Sequence, residues 1–284
     1  MSKTFQRIYA TMAWSGIAMC AFSLPTYASA LGLMTPWGGY SSAVTVEEPQ
    51  AQKKQKLDAL ANHDVVILID RSGSMETVDC PAALAQNSDE SRWQWCCEQT
   101  QDLSAQTNGI LKDGIRVVVF STMQKTYDNV QLNNVPEIFQ SNSPKGSTNI
   151  ANALKHQLDD YFRRKMRPEE TKRPLKPLLI AVVTDGCFDH SIPVQRVITE
   201  ATKHMDSPDE IAITFLQVGQ DNQATHILSD LAAGRGNIVK QANYGIVSSK
   251  PFSELKKVGL TDALLDVVSS NNNNNTASIN TAVQ

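Results

Sequence analysis

The strongest pattern in the chain is an alternation of short apolar runs with amphipathic stretches. Val65-Val66-Ile67-Leu68-Ile69, Ile115-Arg116-Val117-Val118-Val119-Phe120-Ser121 and Leu178-Leu179-Ile180-Ala181-Val182-Val183-Thr184 are near-continuous apolar runs of strand length. Runs of this kind, without polar alternation, fit strands covered on both faces. A fourth run spans 211–218, and weaker strands are predicted at 125–127 and, as a short edge, at 237–240. Between the runs, apolar residues recur at helical spacing. Ile150, Ala153, Leu154, Leu158, Tyr161 and Phe162 define one face of a helix predicted over 148–164. Further helices are predicted from 91 towards 111, over 193–205, over 223–233 with Gly234 closing it, and over 252–268. Ser91 stands as a helix N-cap with Gln94 three positions on, the capping-box spacing. Within that helix, core packing for one of Trp93 and Trp95 and partial exposure for the other is expected.

Alternating β and α elements with buried strands predict an α/β fold: a doubly wound, mainly parallel sheet flanked by helices. Such sheets gather their sites at the carboxyl ends of the strands. Asp70 follows the first run, Asp185 follows the third, and the turn Gly146-Ser147-Thr148 opens a helix. All three segments are therefore expected on one edge of the sheet.

The ends of the chain read differently. Lys3 and Arg7 precede a mostly apolar stretch at 8–24, and Ala28-Ser29-Ala30 places small residues where a signal peptidase needs them. Residues 1–30 are expected to be a secretory signal peptide, a retained membrane anchor being the alternative. Residues 31–61 read as a linker with a short helix around 53–61, residues 62–268 as the folded domain, and 269–284 as a disordered tail containing five consecutive asparagines. The mature chain is thus expected to be exported, secreted or periplasmic within the cell envelope, with no membrane span of its own.

Composition narrows the partners. With 41% hydrophobic residues, 19% charged residues and a net charge of −3, nothing favours nucleic acid. The basic stretch Arg163-Arg164-Lys165, continued by Arg167, Lys172, Arg173 and Lys176, is interrupted by Glu169 and Glu170 and reads as a solvated helix end. Export makes Cys80, Cys96, Cys97 and Cys187 candidates for disulfides rather than free thiols. Three pairings are open, Cys80 with one of the adjacent pair or with Cys187 being plausible, and no zinc-ligand spacing is present.

The candidate chemistry lies at Asp70-Arg71-Ser72-Gly73-Ser74, where a carboxylate and two hydroxyls alternate at a strand end. Oxygen donors of this kind suit a hard cation. Taken with Lys145-Gly146-Ser147-Thr148-Asn149-Ile150 and Val183-Thr184-Asp185-Gly186, the pattern resembles the von Willebrand factor type A (VWA) domain and its metal-ion-dependent adhesion site, over roughly residues 64–268. The resemblance implies a Rossmann-like VWA fold and a metal site made of Asp70, Ser72, Ser74, Thr148 and Asp185. Ser72, Ser74 and, with ligand present, Thr148 would bind directly, and Asp70 and Asp185 directly or through water. It implies Mg2+, with Mn2+ able to substitute, and a protein partner that donates an Asp or Glu carboxylate to the metal. Ser147 stands where many members have glycine, a departure that leaves open whether it competes with Thr148 as the hydroxyl donor. Asp189 and His190 lie beyond Asp185 and could line the rim.

Each segment also has an ordinary reading. The Asp70 segment could be an Asx turn, Thr148 the N-cap of its helix, and Asp185-Gly186 a simple turn. The function expected is a metal-dependent adhesion or binding module and not an enzyme. The sequence holds no Gly-x-Ser-x-Gly, His-Glu-x-x-His or Gly-Lys-Ser motif. A metal-independent envelope scaffold with a vestigial site, and less favourably a metal-assisted hydrolase, are the alternatives.

Overall fold

The computed structural model describes residues 48–82, 88–170, 174–186, 191–235 and 238–281. In chain order the elements are α1 (Glu48–Leu60), β1 (Asp64–Asp70), β2 (Val78–Pro81), β3 (Asp89–Ser91), α2 (Arg92–Gln106), β4 (Ile115–Phe120), β5 (Gln124–Val130), α3 (Val135–Gln140), α4 (Ile150–Met166), β6 (Leu178–Thr184), α5 (Ser191–Lys203), β7 (Ile211–Gln217), α6 (Asn222–Ala232), β8 (Val247–Lys250) and α7 (Phe252–Thr281). The apolar runs become neighbours in a six-stranded sheet of order β5-β4-β1-β6-β7-β8, while β2 and β3 form a separate hairpin. All pairings in the large sheet are parallel except that of β5 with β4. The fold is therefore the doubly wound α/β sheet that the runs predict.

The absence of polar alternation has a direct cause: each strand feeds two cores. Ile67, Ile69, Val117, Val119, Leu179, Ala181 and Val183 pack beneath α2 and α7 in one cluster. Val66, Leu68, Val118, Phe120, Ile180, Val182 and Phe215 meet α4, α5 and α6 in the other. Burial on both faces removes the pressure for polar residues at every second position. Trp93 and Trp95 are both buried, packing on Phe139 (ring centroids 4.5 Å apart) and edge-on to Phe252 (5.5 Å). The expected split between one core and one partly exposed tryptophan does not occur.

Other expectations shift at the edges. Residue 237 of the short strand predicted at 237–240 lies outside the described residues, and 238–240 form no strand; Val239–Gln241 is a turn of 3-10 helix, and the edge strand is β8, beginning at Val247. Its polar sequence, Val-Ser-Ser-Lys, carries no apolar run for a sequence reading to detect. The weak strand at 125–127 extends to the full length of β5, and the β2–β3 hairpin and α3 are additional elements. The helix predicted towards 111 ends at Gln106, and α7 keeps helical backbone through the asparagine run as far as Thr281. Gly259 interrupts α7 with φ of 79°, and there Leu260 N donates to Gln99 Oε1 (2.9 Å), anchoring α7 to α2. The basic stretch is largely ion-paired: Arg164 to Asp64 (2.8 Å), Lys165 to Glu210 (2.6 Å) and Asp206 (2.8 Å), and Arg163 to Asp160.

Cys80, Cys96 and Cys97 are buried thiols without a bridge in this structure. Burial pushes Cys80 up to about 12 and Cys97 up to about 11. Cys187, Asp189, His190, the signal segment and the first part of the linker lie outside the described residues. Among the described residues no helix is long and apolar enough to cross a membrane.

One contact of the hairpin carries a pH dependence. Burial, reinforced by the neighbouring Glu98 carboxylate, pushes Glu90 on β3 up to about 7 from an ordinary value of 4.5. The folded state therefore holds a proton there that the unfolded chain releases between those two values. By linkage, this group makes stability fall as pH rises through that window. Thermal melts between pH 4.5 and 8 should show a decline that Glu90→Gln flattens, with the variant the more stable at pH 8. Parallel pH profiles for the two proteins would contradict this origin.

Candidate functional site

The register of the sheet brings the motif segments to one level. Asp70 pairs with Phe120 across β1–β4, and Ile69 pairs with Val183 across β1–β6, so Asp70 and Asp185 emerge side by side at the carboxyl edge. Asp70 is fully buried. Its Oδ1 accepts from Ser72 N (2.8 Å) and its Oδ2 from the Thr184 hydroxyl (2.8 Å). Burial pushes Asp70 up to about 6, the two hydrogen bonds opposing that rise and the Asp185 charge adding to it. A carboxylate in this position gains from a cation placed against it.

The chain after Asp70 turns tightly, so that Ser72 Oγ and Ser74 Oγ stand 3.1 Å apart. Two backbone hydrogen bonds tie this loop to the Gly146 turn: Gly73 N to Gly146 O (3.2 Å) and Lys145 N to Arg71 O (2.6 Å). Gly146 adopts φ of 84°, and a Cβ there would come within 2.8 Å of Thr122 Oγ1. In that turn the two candidate hydroxyls differ. Ser147 is exposed and pairs with Thr122 Oγ1 at 3.2 Å. Thr148 is half-buried and does not cap α4; Asn149 does, accepting from Asn152 N at 3.2 Å. Capping therefore does not account for Thr148. Asp185 is also fully buried, and Gly186, with φ of 75°, turns the chain where a Cβ would lie 2.6 Å from Ala224 Cβ.

The structure thus places Asp70, Ser72, Ser74, Thr148 and Asp185 on three hydrogen-bonded or paired segments of one sheet edge. Two carboxylates with hydroxyls form a hard-oxygen donor set of the kind Mg2+ and Mn2+ take, without the thiolate or imidazole that softer metals favour. No group of three or more His, Cys, Asp or Glu side chains gathers at metal-binding spacing among the described residues. A hydroxyl-rich set does not require one.

A residue the motifs did not indicate reaches the same edge. Arg92, at the first position of α2, is 8% exposed. Its Nη1 donates to Asp185 Oδ2 (2.8 Å), while Nε and Nη2 fork onto Asp79 Oδ1 (2.9 Å) and Oδ2 (2.7 Å). The forked pair holds Asp79 below the usual carboxylate range and raises Arg92 further above its own. Gly219 makes room: a Cβ there would lie 2.3 Å from Arg92 Nε. The one sequence hint was a cation in the first turn of a helix, where the macrodipole disfavours it unless anions compensate.

A doubly wound sheet with an acidic, hydroxyl-lined carboxyl edge defines an α/β domain whose candidate site lies at its strand ends. The chain belongs to the von Willebrand factor type A domain family, which matches residues 64–256. No curated protein matches it significantly. Among solved structures it is similar to proximal thread matrix protein 1 of the mussel byssus, with 18% identity, 72% of this chain and 47% of that one covered, and a TM-score of 0.45. It is also similar to the PilB minor pilin of Streptococcus sanguinis (14% identity, 73% and 60% covered, TM-score 0.43). A third is the manganese-loaded TRAP protein of Plasmodium vivax (15% identity, 68% and 70% covered, TM-score 0.41). The chain thus spans about half the length of the first and three fifths of the second.

Proposed function

We propose that this domain is an exported binding module that holds Mg2+ at Asp70, Ser72, Ser74, Thr148 and Asp185 and uses it to capture an acidic residue of a protein partner. Membership of the VWA family is consistent with an adhesion or binding role. The observation that carries the metal reading is the Asp70–Ser74 loop: its two hydroxyls stand 3.1 Å apart beside a fully buried carboxylate, and its backbone is fastened to the turn that bears Thr148. An ordinary capped turn does not require Asp70 to be buried, and Thr148 is not spent on capping.

The residues divide the work. Asp70 orients the loop through Ser72 N–H and joins β1 to β6 through Thr184. Ser72, Ser74 and Thr148 offer neutral oxygens, and Asp185 supplies the second negative charge. Mg2+ held mainly by neutral oxygens keeps enough charge to favour an external carboxylate in an open position. The test is capture from the exported fraction on immobilised chain, in Mg2+ and in chelator. Proteins retained in Mg2+ should elute with chelator and be absent from an Asp185→Ala column. Retention that persists under both conditions would instead favour a metal-independent scaffold.

A further inference from the structure

Resting on the metal reading above, we propose that Arg92 is a positioning residue of the site: a resident counter-ion that holds Asp185 in place and limits how tightly the cation is bound, with Asp79 setting the strength of that effect. The guanidinium is held on every side. It donates to Asp185 at 2.8 Å, forks onto Asp79 at 2.9 and 2.7 Å, lies against the Gly219 backbone, and comes within 3.5 Å of the Ser74 carbonyl. It therefore touches both the carboxylate after β6 and the loop that carries the Ser72 and Ser74 hydroxyls.

Two consequences follow from charge alone. Asp70 and Asp185 are both fully buried and feel each other's charge. Arg92 supplies a permanent positive charge beside that pair, so the edge keeps its geometry without a divalent ion. The same charge repels a divalent ion that binds to those carboxylates. Removing it tightens the cation, and removing the Asp79 charge that offsets it weakens the cation. A purely structural role would make both substitutions weaken binding, because both break the same buried contact.

The opposite signs are the test. The full chain, Arg92→Met and Asp79→Asn are titrated with Mn2+ alone, free Mn2+ being read by electron paramagnetic resonance, and each is melted with and without Mn2+. Arg92→Met should bind Mn2+ roughly tenfold more tightly, between the limits a neighbouring unit charge has in water and in protein. It should melt lower than wild type without metal and gain more from Mn2+. Asp79→Asn should bind Mn2+ about threefold more weakly. If Arg92→Met does not fold, Asp79→Asn and Arg92→Lys are read together: weaker binding in the first with wild-type affinity in the second, which keeps the charge but not the fork, supports the role, and any other combination overturns it. Where Arg92→Met folds, unchanged affinity in it, or shifts of Arg92→Met and Asp79→Asn in the same direction, overturns the role of Arg92 and leaves the metal reading standing. No Mn2+ uptake by wild type overturns both.

Discussion

Asp70→Asn should abolish the rise in melting temperature that millimolar Mg2+ or Mn2+ gives the wild-type chain. A ligand that binds only the folded state stabilises it by about 2.7 kcal/mol at a hundred times its dissociation constant. For a domain of this size that corresponds to roughly 5–10 °C. The asparagine keeps the shape and keeps an acceptor for Ser72 N–H, whose bond to Asp70 Oδ1 is 2.8 Å. It removes the charge that makes a cation favourable beside a fully buried group. Differential scanning calorimetry of both proteins, in chelator and in saturating metal, measures the effect. An equal metal-induced shift in Asp70→Asn, or none in wild type, would count against the site.

Phe215→Ala should be among the most damaging single changes in the sheet. Phe215 is fully buried in the middle of β7, and its ring packs in the cluster formed with α4, α5 and α6. Truncating a buried phenylalanine costs about 3–5 kcal/mol, the loss of transfer free energy adding to that of the cavity left behind. The melting temperature should fall by roughly 6–20 °C. The site lies at the strand ends, so the Mn2+ affinity of the folded fraction should stay close to wild type. A loss under about 1 kcal/mol would mean that the cluster closes over the gap.

Much of the architecture was legible because it is written in local composition. Continuous apolar runs at β1, β4, β6 and β7 announced strands buried on both faces, and the face from Ile150 to Tyr161 announced α4. Helix starts were less secure. Ser91 caps α2 as its spacing predicts, accepting from Gln94 N at 3.1 Å, but α4 is capped by Asn149 rather than Thr148. Both are good caps, and only the path of the Gly146 turn decides between them. The edge strand β8 escaped notice because an edge strand needs only one well-paired neighbour and little apolar burial, so Val-Ser-Ser-Lys suffices.

The candidate site divides along the same line. Asp70, Ser72, Ser74, Thr148 and Asp185 could be read from the chain because each lies in a short motif at the end of an element whose type the pattern reveals. Arg92 could not. Its partners are 13 and 93 positions away, Asp79 on a hairpin that no apolar run announces and Asp185 at the end of a distant strand. Hydrophobic patterning records which face of an element is buried. It does not record which charged groups meet once the elements are packed. The guanidinium reaches Asp185 because the start of α2 is brought over the strand ends and Gly219 leaves the space, and both depend on how the elements are packed in three dimensions.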